Sequence, residues 1–231
     1  MRYYSIDTET TGLDREEDEI LQIGVVMDDT AWWDKTPVDS LPYLRINILR
    51  DRMKGQPFAL NMNADILMSI HRYNSAKTPS ERSELNKEYD CVFAKPDEAS
   101  LFFRDWVLEN EMLVDSKLVD MTAPTMKSSL TSTPLPAKNS VTIVPAGKNF
   151  GDFDKQFLRR MPKWETRVIL RSRMLDPCIL YWKPDTDQEL PGLSTCLERA
   201  GFDPTVSHDS VDDARDVIRV IRKYYGDGNL F

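Results

Sequence analysis

Ser5-Ile6-Asp7-Thr8-Glu9-Thr10-Thr11-Gly12-Leu13 closes a short apolar run that begins near Arg2. Residues two apart on an extended segment project to the same face, so Asp7 and Glu9 aim two carboxylates at one point in space. Hard divalent cations such as Mg²⁺ take oxygen ligands in this way, and phosphoryl-transfer enzymes hold their metals on such pairs. A strand that merely ends in a polar turn accounts for the same residues, and isolated Asp-x-Glu pairs are common. On spacing alone the two readings stand level.

Outward from this stretch, residues 2–7 read as a buried strand. Residues 20–27 read as a second, after the polar turn Asp14-Arg15-Glu16-Glu17-Asp18, and residues 43–49 alternate well enough for a third. The Trp32-Trp33 pair suits rim packing better than a base-stacking platform. Residues 63–73 look helical and carry His71, an ordinary surface histidine with no acid or Cys partner nearby in the sequence. Pro96 opens the clearest helix, in which Ala99, Phe102, Phe103, Trp106 and Val107 share one buried face.

Residues 121–140 are rich in Ser, Thr and Pro and lack periodicity. They read as an extended loop, either a substrate lid or a plain insertion. A strand over 141–144, a helix over 153–161, a strand over 168–175 and a helix over 193–200 follow. The last helix starts near Ser210 and turns Val211, Ala214, Ile218, Ile221 and Tyr225 inward. Three early strands and then alternating helices and strands argue for an α/β fold, a mixed sheet with helices on both faces.

At 231 residues, 41% hydrophobic and 29% charged, the chain suits one globular domain, 1–231. It lacks an apolar run of about 18 residues, so no membrane span is expected. It enters its first strand almost at once, which predicts no signal peptide. Cys91, Cys178 and Cys196 lack metal-site spacing, and no Asn-x-Ser/Thr acceptor occurs, so a reducing cytoplasm is expected. The net charge of -8 counts against tracking along a duplex, which needs a basic field. It does not count against catalysis at an end, where bound metals neutralise the site and only a few nucleotides are gripped.

Two further acidic clusters follow. In 147–158, Gly-Lys-Asn-Phe-Gly-Asp-Phe-Asp-Lys-Gln-Phe-Leu, an acid leads a helix whose Phe157 and Leu158 pack inward. In 208–216, His-Asp-Ser-Val-Asp-Asp-Ala-Arg-Asp, a histidine precedes a helix with acids in its first turn. Helix capping and the helix dipole account for either one alone.

Together and in this order, the three clusters resemble the DnaQ-like 3′–5′ exonucleases of the DEDDh type, whose core is an RNase H-like fold. Asp7 to Leu13 matches the first motif without departure. In the third, the histidine, four intervening residues and an aspartate select Asp213 over Asp212. The second matches less closely: Asn149 and Asp154 are spaced as in oligoribonuclease-like members, and Phe-Asp-x-x-Phe-Leu selects Asp154 over Asp152. Regions 28–95 and 115–140 lie outside the motifs and read as elaborations on a five-stranded mixed sheet.

The resemblance implies two Mg²⁺ or Mn²⁺ ions held by Asp7, Glu9, Asp154 and Asp213, with His208 as general base. It implies substrate contacts from Thr8, Thr11 and Leu13, and from Asn149 unless that residue only caps its loop. Lys148, Arg159 and Arg160 are candidate phosphate contacts, though solvated charges beside a helix account for the last two equally well. The implied partners are 3′ ends of single-stranded DNA or RNA, or short or cyclic oligonucleotides, delivered in one version by a polymerase or other protein. A binding module that kept the fold and lost catalysis is the rival from another class, and five filled catalytic positions argue against it.

Overall fold

Arg2–Thr10 (β1) and Ile20–Asp29 (β2) form an antiparallel pair in which Asp7 lies opposite Gly24 and Glu9 opposite Gln22. The computed structural model, which describes residues 1–115 and 139–226, adds Tyr43–Ile48 (β3) antiparallel to β2 and Val92–Ala94 (β4) parallel to β3. Val141–Ile143 (β5) leads into Pro145–Ala146 (β6), which lies parallel to β1. The result is a mixed five-stranded sheet in the order β4-β3-β2-β1-β6.

Alternation along β1 assigns the two faces of the sheet. Tyr3 donates to Asp28, which also pairs with Arg222 of helix Ser210–Gly226 (α9), whereas Tyr4 meets Trp106 of helix Pro96–Asp115 (α4). The two long helices therefore cover opposite faces. Val211, Ala214, Ile218 and Ile221 of α9 are buried against the sheet, and the valine and each isoleucine contribute about 1.5–3 kcal/mol. The other side of α9 is covered too, because Pro177–Leu180 (α7) and Leu193–Ala200 (α8) pack around Val220. Fully buried Asp28 accepts from Tyr3, Trp33 and Arg222 and locks the far end of α9 to β2.

Several elements differ from the sequence expectations. Residues 168–175 are not one strand of the main sheet. Val168–Leu170 (β7) pairs with β5 in a separate two-stranded sheet, and Leu175 touches the main sheet by a single bridge to Ala146. Pro145-Ala146, just past the strand expected over 141–144, supplies the fifth strand. Region 28–95 contributes β3 and β4 as well as three helices, Pro57–Met62 (α1), Ala64–Ser75 (α2) and Pro79–Glu88 (α3). Trp33 donates to Asp28 and stacks on Tyr225, the rim packing expected of that pair. The extended loop expected over 121–140 lies, for all but its last two residues, outside the described residues. Asp154–Arg160 (α5) and Trp164–Arg167 (α6) complete the layer on the α4 side.

Candidate active site

Asp7, Glu9 and Asp213 each offer a carboxylate oxygen within 4.8 Å of the other two. Asp7 and Glu9 share one face of β1, and the first turn of α9 brings Asp213 above them. Asp154 approaches from the other side of β1. The Thr8 amide and hydroxyl both donate to its Oδ1, at 3.0 and 2.7 Å, and Thr8 points away from Asp7 and Glu9. Neighbouring acids are set apart. Asp152 is exposed in a fork with Arg15, and Asp212 pairs with Arg215.

So many acids in one place raise each other's proton affinity. Burial, then Asp154, Glu9 and Asp213, hold the Asp7 carboxyl well above its ordinary range. Burial, Asp213 and Asp209 push Glu9 up to about 8, against a hydrogen bond from Asn63. Asp154 is raised by burial to about 6 despite its Thr8 bonds, and Asp213 by burial to about 6 despite Ser207 and the nearby His208 charge.

Residues outside the motifs build this geometry. Gly24 lies opposite Asp7, and a Cβ there would collide with the Ser210 backbone, so the glycine lets α9 approach the sheet at the right level. Buried Ser210 donates to Gln22 Oε1 at 2.7 Å, Gln22 to Asn47 at 2.7 Å, and Asn47 to Ser69 at 2.9 Å. This polar chain ties the start of α9 through β2 and β3 to α2. Asn63, between α1 and α2, donates to the Thr10 carbonyl at 3.2 Å. A glycine inside an apolar strand is a sequence signal of close approach that could have marked Gly24. No local pattern marks the polar chain, because its members lie far apart in sequence.

His208 is exposed at the rim, in the loop before α9, with a left-handed φ of 55°. Such a conformation costs a non-glycine residue about 1–2 kcal/mol, so its neighbours must hold it. Ser207 donates to Asp213 at 3.2 Å on one side, and Asp209 is bound by Arg45 on the other.

The expected substrate contacts divide. Leu13 is 73% exposed in its turn. Thr11 is a correction. It is fully buried, its amide donates to the Glu19 carbonyl, its carbonyl accepts from Gln56, and its hydroxyl joins Asp18 and the Glu19 amide. Thr11 therefore shapes the 11–19 turn and has no donor facing a ligand. Thr8 is likewise engaged by Asp154 and orients that carboxylate. Asn149 stands at φ 53°, its amide donates to Asp176 at 3.1 Å and its carbonyl accepts from the Asp152 and Phe153 amides. Arg159 pairs with Glu165, and Arg160 donates to the carbonyls of Arg15 and Asp18, whereas exposed Lys148 lies close enough to lower the Asp154 carboxyl. The sequence reading missed Phe58. Helix α1 hangs from the Thr10–Thr11 backbone through Gln56 and Asn63, and it leaves Phe58 77% exposed.

The donor set consists of carboxylate oxygens alone, converging where like charges oppose one another. That chemistry fits a hard divalent cation, Mg²⁺ or Mn²⁺, and not a soft one. No family model matches the chain, and no curated protein matches it in sequence. Solved structures match it in fold. A moderately thermophilic exonuclease I from Methylocaldum szegediense aligns with a TM-score of 0.51 at 15% identity, over 99% of this chain and 41% of that one. A second exonuclease I structure aligns with a TM-score of 0.51 at 12% identity, over 96% of this chain and 40% of that one. The chain thus spans about two fifths of the length of these neighbours. At such identities the likeness is one of architecture: the fold is the RNase H-like mixed sheet of these exonucleases.

Proposed function

We propose that residues 1–231 form a metal-dependent 3′–5′ exonuclease domain of the DEDDh type. It hydrolyses phosphodiester bonds at the 3′ ends of single-stranded DNA or RNA and releases nucleoside 5′-monophosphates. The observation that carries this reading is the meeting of Asp7, Glu9 and Asp213 within 4.8 Å, with Asp154 held beside them by Thr8. These four residues would hold two Mg²⁺ or Mn²⁺ ions. When bound, the ions supply positive charge that eases loss of a proton from water and stabilises the departing 3′ oxygen.

His208 takes the proton from the attacking water. Its exposed position lets it pass that proton on to solvent. Leu13 and Phe58 offer apolar faces to the terminal bases, and Lys148 offers a cation to a phosphate. A net charge of -8 favours short substrates or ends delivered by a partner over long tracked strands. A reducing compartment such as the cytoplasm suits three buried free cysteines, and no helix among the described residues is long and apolar enough to cross a membrane.

The test is incubation of 5′-labelled single-stranded DNA and RNA with Mg²⁺ or Mn²⁺, beside Asp7→Ala and an EDTA control. A ladder that shortens from the 3′ end, lost in both controls, is expected. Cleavage that survives Asp7→Ala would refute the proposal, as would cutting at internal positions.

A further inference from the structure

The loop that carries His208 is pinned from both sides, and one pin comes from a distant strand. Arg45 of β3 lies opposite Gly24, which lies opposite Asp7, so the arginine shares the face of the sheet that carries the acids. Its Nη2 donates to both Asp209 oxygens, at 2.7 and 2.8 Å, and its side chain is only 15% exposed. Asp209 also accepts from the amides of Val211 and Asp212 at 3.0 and 3.1 Å, which closes the first turn of α9. Ser207 Oγ accepts from the Asp209 amide at 3.2 Å and donates to Asp213 at 3.2 Å. His208 sits between these tied residues in its left-handed conformation.

Capping does not explain the arginine. An aspartate caps a helix through the backbone amides alone, with water around its other oxygen. A mostly buried guanidinium must be desolvated, and the Arg45 Nε finds no hydrogen-bond partner. The pair therefore does something that a solvated cap would not.

We infer that Arg45 is a positioning residue. By clamping Asp209 it holds the His208 backbone where the imidazole faces the acid cluster. The inference rests on the reading of His208 as proton acceptor. The planar fork of arginine fixes direction as well as charge, which the point charge of a lysine does not.

The experiment compares wild type, Arg45→Ala, Arg45→Lys and Asp209→Asn, each also in a His208→Ala background. It measures turnover of 5′-labelled single-stranded DNA, calorimetric binding of Mn²⁺ alone, far-UV circular dichroism and the imidazole NMR signals. Arg45→Ala is expected to lower kcat by up to about 10²-fold, the scale of a misplaced catalytic group, with KM and Mn²⁺ affinity nearly unchanged. Arg45→Lys stays well below wild type. In the His208→Ala background Arg45→Ala adds nothing, since both changes remove one function.

An equal loss in both backgrounds, a loss expressed in KM, or a loss of Mn²⁺ binding overturns the inference. Should Arg45→Ala fail to fold, Asp209→Asn keeps a capping side chain and must reproduce the fall in kcat, and full activity there overturns it. Should wild type release no nucleotide, the proposed function fails and NMR judges the clamp separately. The chain has two histidines, so His71 serves as internal reference. Loosening the clamp must shift or broaden the His208 signals and spare those of His71, and unmoved His208 signals overturn the clamp.

Discussion

Glu9→Gln removes one charge from the acid cluster with almost no change in size, and the surroundings of Glu9 set the consequence. The side chain is 8% exposed, and burial followed by Asp213 and Asp209 raises its carboxyl from 4.5 to about 8. Between those two values the folded protein keeps a proton that the unfolded chain has lost. Stability of the metal-free protein therefore falls as the pH rises from about 4.5 to about 8, and levels off above. At 1.36 kcal/mol per unit the full shift corresponds to roughly 5 kcal/mol, which relaxation and water entry reduce to about 2–3.

In a chain of 231 residues each kcal/mol moves Tm by about 2–4 °C. Glu9→Gln in EDTA at pH 8 should then melt about 5–10 °C above wild type, and close to it at pH 5. Mg²⁺ binds the charged form, so it should raise the wild-type Tm and reverse the pH trend while helping the variant less. Melting followed by tryptophan fluorescence, with and without EDTA at both pH values, checks this. A wild-type Tm in EDTA that does not fall between pH 5 and pH 8, or a variant that melts no higher at pH 8, would refute the reasoning.

His208→Ala should lower kcat by at least about 10²-fold at pH 7.5 while Mn²⁺ binding measured by calorimetry is retained. Gly24→Ala forces a methyl into the Ser210 backbone, so denaturant unfolding should show a loss of about 1–3 kcal/mol, together with weaker Mn²⁺ binding as Asp213 is displaced. Phe58→Ala should raise KM for single-stranded DNA by roughly 5- to 150-fold, the range of one lost base stack, with little change in kcat. Arg222→Ala leaves the Asp28 charge buried with three neutral donors, Tyr3, Trp33 and the Asp29 amide, and chemical denaturation should show a loss of about 3–5 kcal/mol.

Much of the architecture was legible because its signals are local. The two-residue period puts Asp7 and Glu9 on one face, and the helical period marks the buried sides of α4 and α9. Helix α3 carried such a signal unread: Thr78 and Glu81 form a capping box around Pro79. Strands β4 and β6 carried none. They have three and two residues and owe their extended form to parallel partners far along the chain. Thr11 illustrates the opposite error. Its place in a motif suggested a ligand contact, but the 11–19 turn and the Gln56 amide together occupy every polar group it has.

Asp7-x-Glu9 on a strand, acids leading two helices and a histidine before the second are statements about spacing, and gathering them into one site followed from the resemblance and not from spacing alone. The choice of Asp154 over Asp152 and of Asp213 over Asp212 followed from resemblance, and burial separates each pair in space. The meeting of Asp213 with Asp7 and Glu9 depends on Gly24 admitting α9 and on Ser210 reaching Gln22, 188 residues away in sequence. No local pattern can carry that information. A carboxylate's partners and proton affinity are set by whichever groups the fold brings within a few ångströms, and those groups come from every part of the chain.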